Sequence, residues 1–265
     1  MRLAPALAIS VSATVCACSL LSSFDGYSGG GTDAGTDGAI GRPPLEAGAD
    51  VSTEAGGASW CATHAPAAAF CADFDERGLE LFDRNYTDNG TYGLDMLASR
   101  SPPASLWAAA GSQSAIASAF LAKGGPSNTK RARVAFDLLL EAAHPEVAAE
   151  LVHLEFASGS SHYTVGFGVM EGGQGAFVYE YSPAPALYEE RVISKPVPLG
   201  TWVRITLEAD LSAKTVTLER EDEPQTATAP LAALFGGALE LEIGLAYTTT
   251  GQDAWKVRMD NIVLD

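Results

Sequence analysis

The chain has 265 residues, 47% of them apolar and 18% charged, with a formal charge of −17 at neutral pH. That length and apolar content suffice for one full-sized core plus an unfolded segment. Acid excess in both the N-terminal stretch and the remainder, with no basic run longer than Lys130 to Arg133, excludes a phosphate-binding stripe and with it a nucleic-acid partner.

Met1 and Arg2 form a short positive start, and Leu3 to Val15 is an apolar stretch too short to cross a bilayer. This predicts a signal peptide over residues 1–17. Val15-Cys16-Ala17-Cys18 resembles the bacterial lipobox, in which the final cysteine is lipidated and becomes the mature N-terminus. Cys18 is the lipidation candidate, because choosing Cys16 would put bulky Val15 where a small residue is required. An ordinary secretory signal cut nearby is the alternative. Ser19 rather than Asp after the cysteine implies an anchor in the bacterial outer membrane or at the cell surface. Several acyl chains on one cysteine would hold the protein stably to the membrane.

Residues 18–58 are rich in Gly, Asp, Ala and Thr, with Phe24 and Tyr27 as their aromatics, and are expected to form a disordered tether. Of the four cysteines, Cys61 and Cys71 would remain as a pair in an oxidising compartment, which predicts a disulfide. A metal site is the alternative, but two cysteines and His64 fall short of four ligands.

From residue 59 to 265 the pattern is period two. Val134 to Leu140, Val152 to Phe156, Tyr163 to Val169, Trp202 to Leu207 and Leu239 to Tyr247 alternate apolar and polar residues, and Gly, Pro and Asp punctuate them. In the last of these, Leu239, Leu241, Ile243, Leu245 and Tyr247 should share the core face, with Glu240 and Glu242 on the wet one. Further strands are expected over Phe177 to Tyr181, Leu187 to Ile193, Thr215 to Leu218 and Trp255 to Leu264, and the Ala-rich stretch Ser105 to Lys123 also reads as strand. Short helical turns are expected after Pro145 and over Leu231 to Phe235. The reading is all-β: a two-sheet antiparallel β-sandwich behind a signal peptide and a tether.

Phe70 to Asp75, Ser101 to Leu106, Val134 to Asp137, Trp202 to Ile205 and Val257 to Val263 together resemble the concanavalin A-like lectin and glucanase (LamG-like) jelly rolls, in particular uncharacterised lipoprotein members. The resemblance covers about residues 68 to 265. It implies that the first and last strands lie side by side, and that Asp73, Asp75 and Asp260 meet there, where related domains hold a structural calcium. The competing reading leaves Asp73 and Asp75 facing solvent and makes Asp260 and Asn261 part of a bulge. No cofactor is otherwise required.

Glucanases of this fold place carboxylates on alternate residues of one strand, because retaining hydrolysis needs two carboxyls about 5–5.5 Å apart. That signature is absent here. Glu240 and Glu242 are the weak catalytic candidates, and the run Glu219, Glu221 and Glu223 reads as a solvated hairpin turn. His153 and Glu155 share a face with His162 nearby, but no metal-ligand spacing or nucleophile elbow accompanies them. For a binding module the candidates are aromatic platforms. Trp202 should point outward beside Arg204, or else pack under an edge loop. Tyr179 and Tyr181, with Glu180 on the other face, are the next candidates, and the two tyrosines could equally be core. The functional expectation is a glycan or other surface polymer bound without cleavage; the alternatives are a divergent glycoside hydrolase or polysaccharide lyase, and an envelope structural or adhesion protein with a protein partner.

Overall fold

The computed structural model describes residues 59–75, 78–113, 115–223, 226–249 and 255–265. The predicted signal peptide, Cys18 and the tether lie outside the described residues. A five-residue helix, α1 (Trp60–His64), precedes fifteen strands. These are β1 (Phe70–Ala72), β2 (Arg84–Asp88), β3 (Gly90–Asp95), β4 (Ser105–Ala110), β5 (Ala117–Gly124), β6 (Arg131–Ala142), β7 (Ala149–Ser158) and β8 (Ser161–Val169). The rest are β9 (Ala176–Pro183), β10 (Ala186–Ser194), β11 (Trp202–Asp210), β12 (Thr215–Arg220), β13 (Ala227–Pro230), β14 (Ala238–Thr248) and β15 (Lys256–Leu264).

The strands form two antiparallel sheets. Sheet A runs β13-β12-β11-β6-β15-β4-β3 with β1 beside β15, and sheet B runs β10-β9-β8-β7-β14-β5-β2. The first and last strands pair as the resemblance implied, Phe70 opposite Leu264 and Ala72 opposite Ile262. Because alternate side chains point to opposite faces, the central strands of each sheet contribute one apolar row apiece to the interior. Val134, Phe136, Leu138 and Leu140 of β6 and Val203, Ile205 and Leu207 of β11 are buried from sheet A; Leu154 and Phe156 of β7, Val165 and Phe167 of β8 and Leu241 and Ile243 of β14 are buried from sheet B. Phe136 meets Phe167 edge to face at 5.8 Å between ring centres, joining the two layers. Each such fully buried side chain contributes roughly 1.5–3 kcal/mol through apolar burial.

Cys61 and Cys71 form the expected disulfide, which fastens α1 to β1. Closing a loop of ten residues contributes about 2–3 kcal/mol through the entropy of the unfolded chain. The Ala-rich stretch is strand, as expected, but as two strands in different sheets, β4 and β5. The two predicted helical turns are absent: the chain is extended or bent after Pro145 and irregular over Leu231 to Phe235. In the second segment the N–H of Ala232 is taken by Glu180 and that of Ala233 by the Tyr163 hydroxyl, so side chains of sheet B replace a helical ladder.

Two bulges change which residues leave the core. In β14 the pairing with β7 shifts between Ile243 and Tyr247, and in β7 the pairing with β8 shifts between Glu150 and Val152. A bulge slips the alternation by one residue. Tyr247, expected on the core face with Leu245, therefore lines a groove on the outer face of sheet B with Ala246, and its opposite residue in β7 is Glu150.

Candidate functional site

The outer face of sheet B carries the richest convergence of polar and aromatic groups. Cross-strand register builds it row by row. Glu242 of β14 lies opposite His153 of β7, which lies opposite Gly166 of β8, which lies opposite Tyr179 of β9 and then Glu190 of β10. The next row runs Glu240, Glu155, Thr164, Tyr181 and Tyr188. Around them is a groove of about 480 Å³ walled by Tyr179, Tyr181, Tyr188 and Tyr247, with Glu150, His153 and Glu155 among its polar lining.

Glycine on β8 makes the floor. The Tyr179 ring lies flat across Gly166, where any Cβ would overlap it, and the Phe177 ring lies across Gly168 in the same way. Tyr179 thereby reaches β7 and meets the His153 ring edge-on at 5.8 Å. Gly166→Ala should force the Tyr179 ring off the floor. The expected cost is about 1–3 kcal/mol of overpacking, read as a lower urea midpoint, and unchanged stability would show that the ring has room to move.

At the centre of the groove, His153 is held by two carboxylates, Nδ1 2.7 Å from Glu242 and Nε2 3.2 Å from Glu150. Desolvation opposes a charge on this ring, but hydrogen bonds to Glu150 and Glu242 and their charges outweigh it and raise its pKa to about 9. The imidazole is therefore a fixed cation at neutral pH. Burial raises the pKa values of Tyr179, Tyr188 and Tyr247, and the negative charge of Glu150 adds to each; Tyr188 is pushed up to about 12. All three stay phenols, able to donate and accept hydrogen bonds but held far from the tyrosinate a general base would need.

The catalytic candidates Glu240 and Glu242 lie side by side on this face as the alternation predicted, and Arg84 of β2 pairs with both. Glu242 is further tied to His153. His162 and Glu155, imagined as neighbours, do meet at 2.7 Å. The run Glu219 to Glu223 closes the β12–β13 hairpin as expected, with Glu221 on Arg100 and Glu223 on Arg220.

The four predicted ligand contacts do not converge. Tyr179 and Tyr181 face outward from sheet B, whereas Trp202 and Arg204 face outward from sheet A, on the opposite side of the sandwich. Trp202 is half-buried in a row with Leu139, Arg258 and Trp107. Arg204 is committed: it donates to the Asn261 carbonyl at 2.7 Å and to Asp137 at 3.3 Å, and it stacks 5.1 Å from the Trp60 ring centre. Desolvation lowers its pKa, against the charge of Asp137. A hollow of about 540 Å³ opens here beside Trp60, and the guanidinium of Arg100 at its rim is paired with Glu221.

Of the proposed calcium ligands, Asp73 accepts the Cys61 and Asp75 N–H groups, and Asp75 accepts that of Trp60 at 3.5 Å. Asp260 accepts the N–H groups of Arg100, Ser101 and Asn261. Burial nevertheless pushes the Asp260 carboxyl up to about 7, with Asp137 adding to it. Asn261 sits at φ 50° in a shift of the β15–β6 register, so the bulge expected at Asp260 and Asn261 is present. Among the described residues no group of three or more His, Cys, Asp or Glu side chains is placed to hold a metal ion, and these three carboxylates are turned to backbone donors instead.

Sequence reasoning found His153, Glu155, Glu242, Tyr179 and Tyr181, but missed Glu150 and Tyr247, which the paired bulges bring out, and Tyr188 and Arg84, which lie on strands flanking the floor. No helix among the described residues is long and apolar enough to cross a membrane.

No protein-family model matches the chain, and no curated protein matches it. Solved structures do. A cellulose-induced protein, Cip1, is similar at 12% identity over 74% of this chain and 96% of its own, with a TM-score of 0.54. A carbohydrate esterase from the Shiga toxin-encoding bacteriophage phi24B is similar at 11% identity over 74% and 97%, with a TM-score of 0.52. An alginate lyase, vAL-1, from a Chlorella virus is similar at 8% identity over 75% and 99%, also with a TM-score of 0.52. At these identities the likeness establishes the β-sandwich fold.

Proposed function

We propose that this chain is a lipid-anchored surface protein of a bacterial envelope whose sandwich binds a carbohydrate polymer in the groove of sheet B without cleaving it. The observation that carries this reading is the groove itself, a trough across five strands walled by four tyrosines, with polar groups at its centre. Tyr181 and Tyr188 are 46% and 58% exposed, so their rings are available to stack on a sugar face. The lipid on Cys18 and the outer-membrane or cell-surface location belong to the same proposal and rest on the lipobox; a calcium ion between the terminal strands and a LamG-like kinship are not needed for it.

Catalysis fits this groove poorly. Glu240 and Glu242 are both occupied by Arg84, and no tyrosine is poised as a base. A uronate polymer such as alginate would enter a groove bordered by Glu150, Glu155, Glu190 and Glu242 against like charge. The test incubates the protein with a panel of neutral, cationic and anionic polysaccharides and follows binding and new chain ends together. Binding of at least one polymer with no product is expected. Product that disappears in Glu242→Gln would replace the reading with that of an enzyme.

A further inference from the structure

One buried polar group in the groove is unspent. Among the described residues the enclosed Tyr179 hydroxyl has no partner in normal hydrogen-bond geometry; Glu150 is near enough to act on its proton by charge and as a marginal acceptor, and nothing donates to the hydroxyl oxygen. A buried hydroxyl without a partner costs about 1–3 kcal/mol, so a native fold that keeps one in a cavity wall is short of a ligand atom there. His153 cannot supply it, because both of its nitrogens are taken by carboxylates.

The surroundings specify the charge of that atom. Glu150 and Glu155 line the groove, and Glu190, which receives the Tyr188 hydroxyl at 3.2 Å, and Glu242 border it. Among the described lining residues the one cation, His153, sits between two carboxylates, so the trough remains negative. Burial pushes the surrounding tyrosines up, and the charge of Glu150 adds to each. Aromatic faces backed by carboxylates favour an organic cation through ring quadrupole and Coulomb attraction together.

We infer that the groove recognises an amino sugar with its amine free and protonated, the ammonium lying against the Tyr179 hydroxyl and Glu150 while the sugar ring stacks on Tyr181 or Tyr188. This rests on the groove being a glycan site and names the class of glycan. An ammonium has three donors, enough for the hydroxyl oxygen and a carboxylate. An N-acetylated unit would present a bulkier neutral amide instead, and a uronate would meet repulsion.

The experiment is calorimetric titration of the purified protein, at mildly acidic pH, with tetramers of glucosamine, N-acetylglucosamine and glucose, and with tetralysine. The glucosamine tetramer is expected to bind at least about tenfold more tightly than the other two sugars. Tyr179→Phe and Glu150→Gln should each remove most of that preference. Tyr181→Ala, a change at an exposed ring that leaves the core intact, should weaken all binding. Equal affinity for the acetylated and free tetramers would overturn the amine inference and leave the glycan reading standing. Tetralysine binding as tightly as glucosamine would reduce the effect to bulk acidity and also overturn it. No binding of any of the three sugars would overturn the amine inference, and the polysaccharide panel then decides the glycan reading separately.

Discussion

Replacing Glu180 by Ala is expected to destabilise the sandwich by about 3 kcal/mol, toward the lower end of what breaking a buried ion pair costs. Glu180 sits on the inner face of β9 with no exposure. One carboxylate oxygen accepts from Arg191 at 2.9 Å, and the other accepts from the Tyr163 hydroxyl at 2.5 Å and the Ala232 N–H at 2.7 Å. Truncation leaves two donors, the Tyr163 hydroxyl and the Ala232 N–H, facing an apolar interior, and leaves Arg191 with Glu189 as its remaining carboxylate partner. The Arg191 side chain is 25% exposed and partly reaches water, which is why the lower end of the range applies. For a domain of this size the melting temperature should fall by roughly 6–12 °C. Replacing the whole cluster with apolar residues (Glu180→Leu, Arg191→Met and Tyr163→Phe together) should recover part of the loss, since the orphaned charges go with it. A loss well under 1 kcal/mol for Glu180→Ala would mean that the cluster is solvated.

Raising the pH from about 6.5 to above 9 should cost up to roughly 3 kcal/mol through His153 alone. The folded-state pKa, about 9, lies above the unfolded value of 6.5. The folded protein therefore binds more protons between those values. Its contribution to stability is complete below the unfolded pKa and is lost as pH rises through the folded one. Asp260 acts in a separate window: its carboxyl, raised to about 7, makes ionisation unfavourable for folding between its ordinary range and that pH. Urea unfolding of the native protein and His153→Gln at several pH values isolates the histidine term. The variant should lack the decline between about pH 7 and 9, below the range in which the tyrosines titrate, and parallel profiles for the two proteins there would refute the Glu150-His153-Glu242 clamp.

Much of the sandwich was legible because period-two alternation is strong where one face of a strand is buried and the other is wet. β6, β7, β8, β11 and β14 all follow it, and so does the pairing of β1 with β15 that the family resemblance implied. Alternation failed where a strand carries aromatics on one face and charge on the other. In β9 the sequence separates Tyr179 and Tyr181 from Glu180, yet gives no sign that the carboxylate faces the core; Arg191 and Tyr163, which make that arrangement tolerable, come from different strands. It failed again at the bulges, which have no clear sequence signature here and which turn Glu150 and Tyr247 onto the same face. The groove was thus half visible. The alternation correctly predicted that Trp202 and Arg204 leave the core, but the side of the sandwich on which a strand lies depends on sheet order, and β9 and β11 belong to different sheets.

The proposed carbohydrate site lies on the outer face of sheet B. Affinity electrophoresis of the native protein, Tyr181→Ala and Trp202→Ala in gels containing each of a panel of polysaccharides tests it most directly. At least one polymer should retard the native protein and Trp202→Ala alike and leave Tyr181→Ala unretarded. Retardation lost in Trp202→Ala and kept in Tyr181→Ala would move the site to sheet A, and no retardation by any polymer would contradict carbohydrate binding itself.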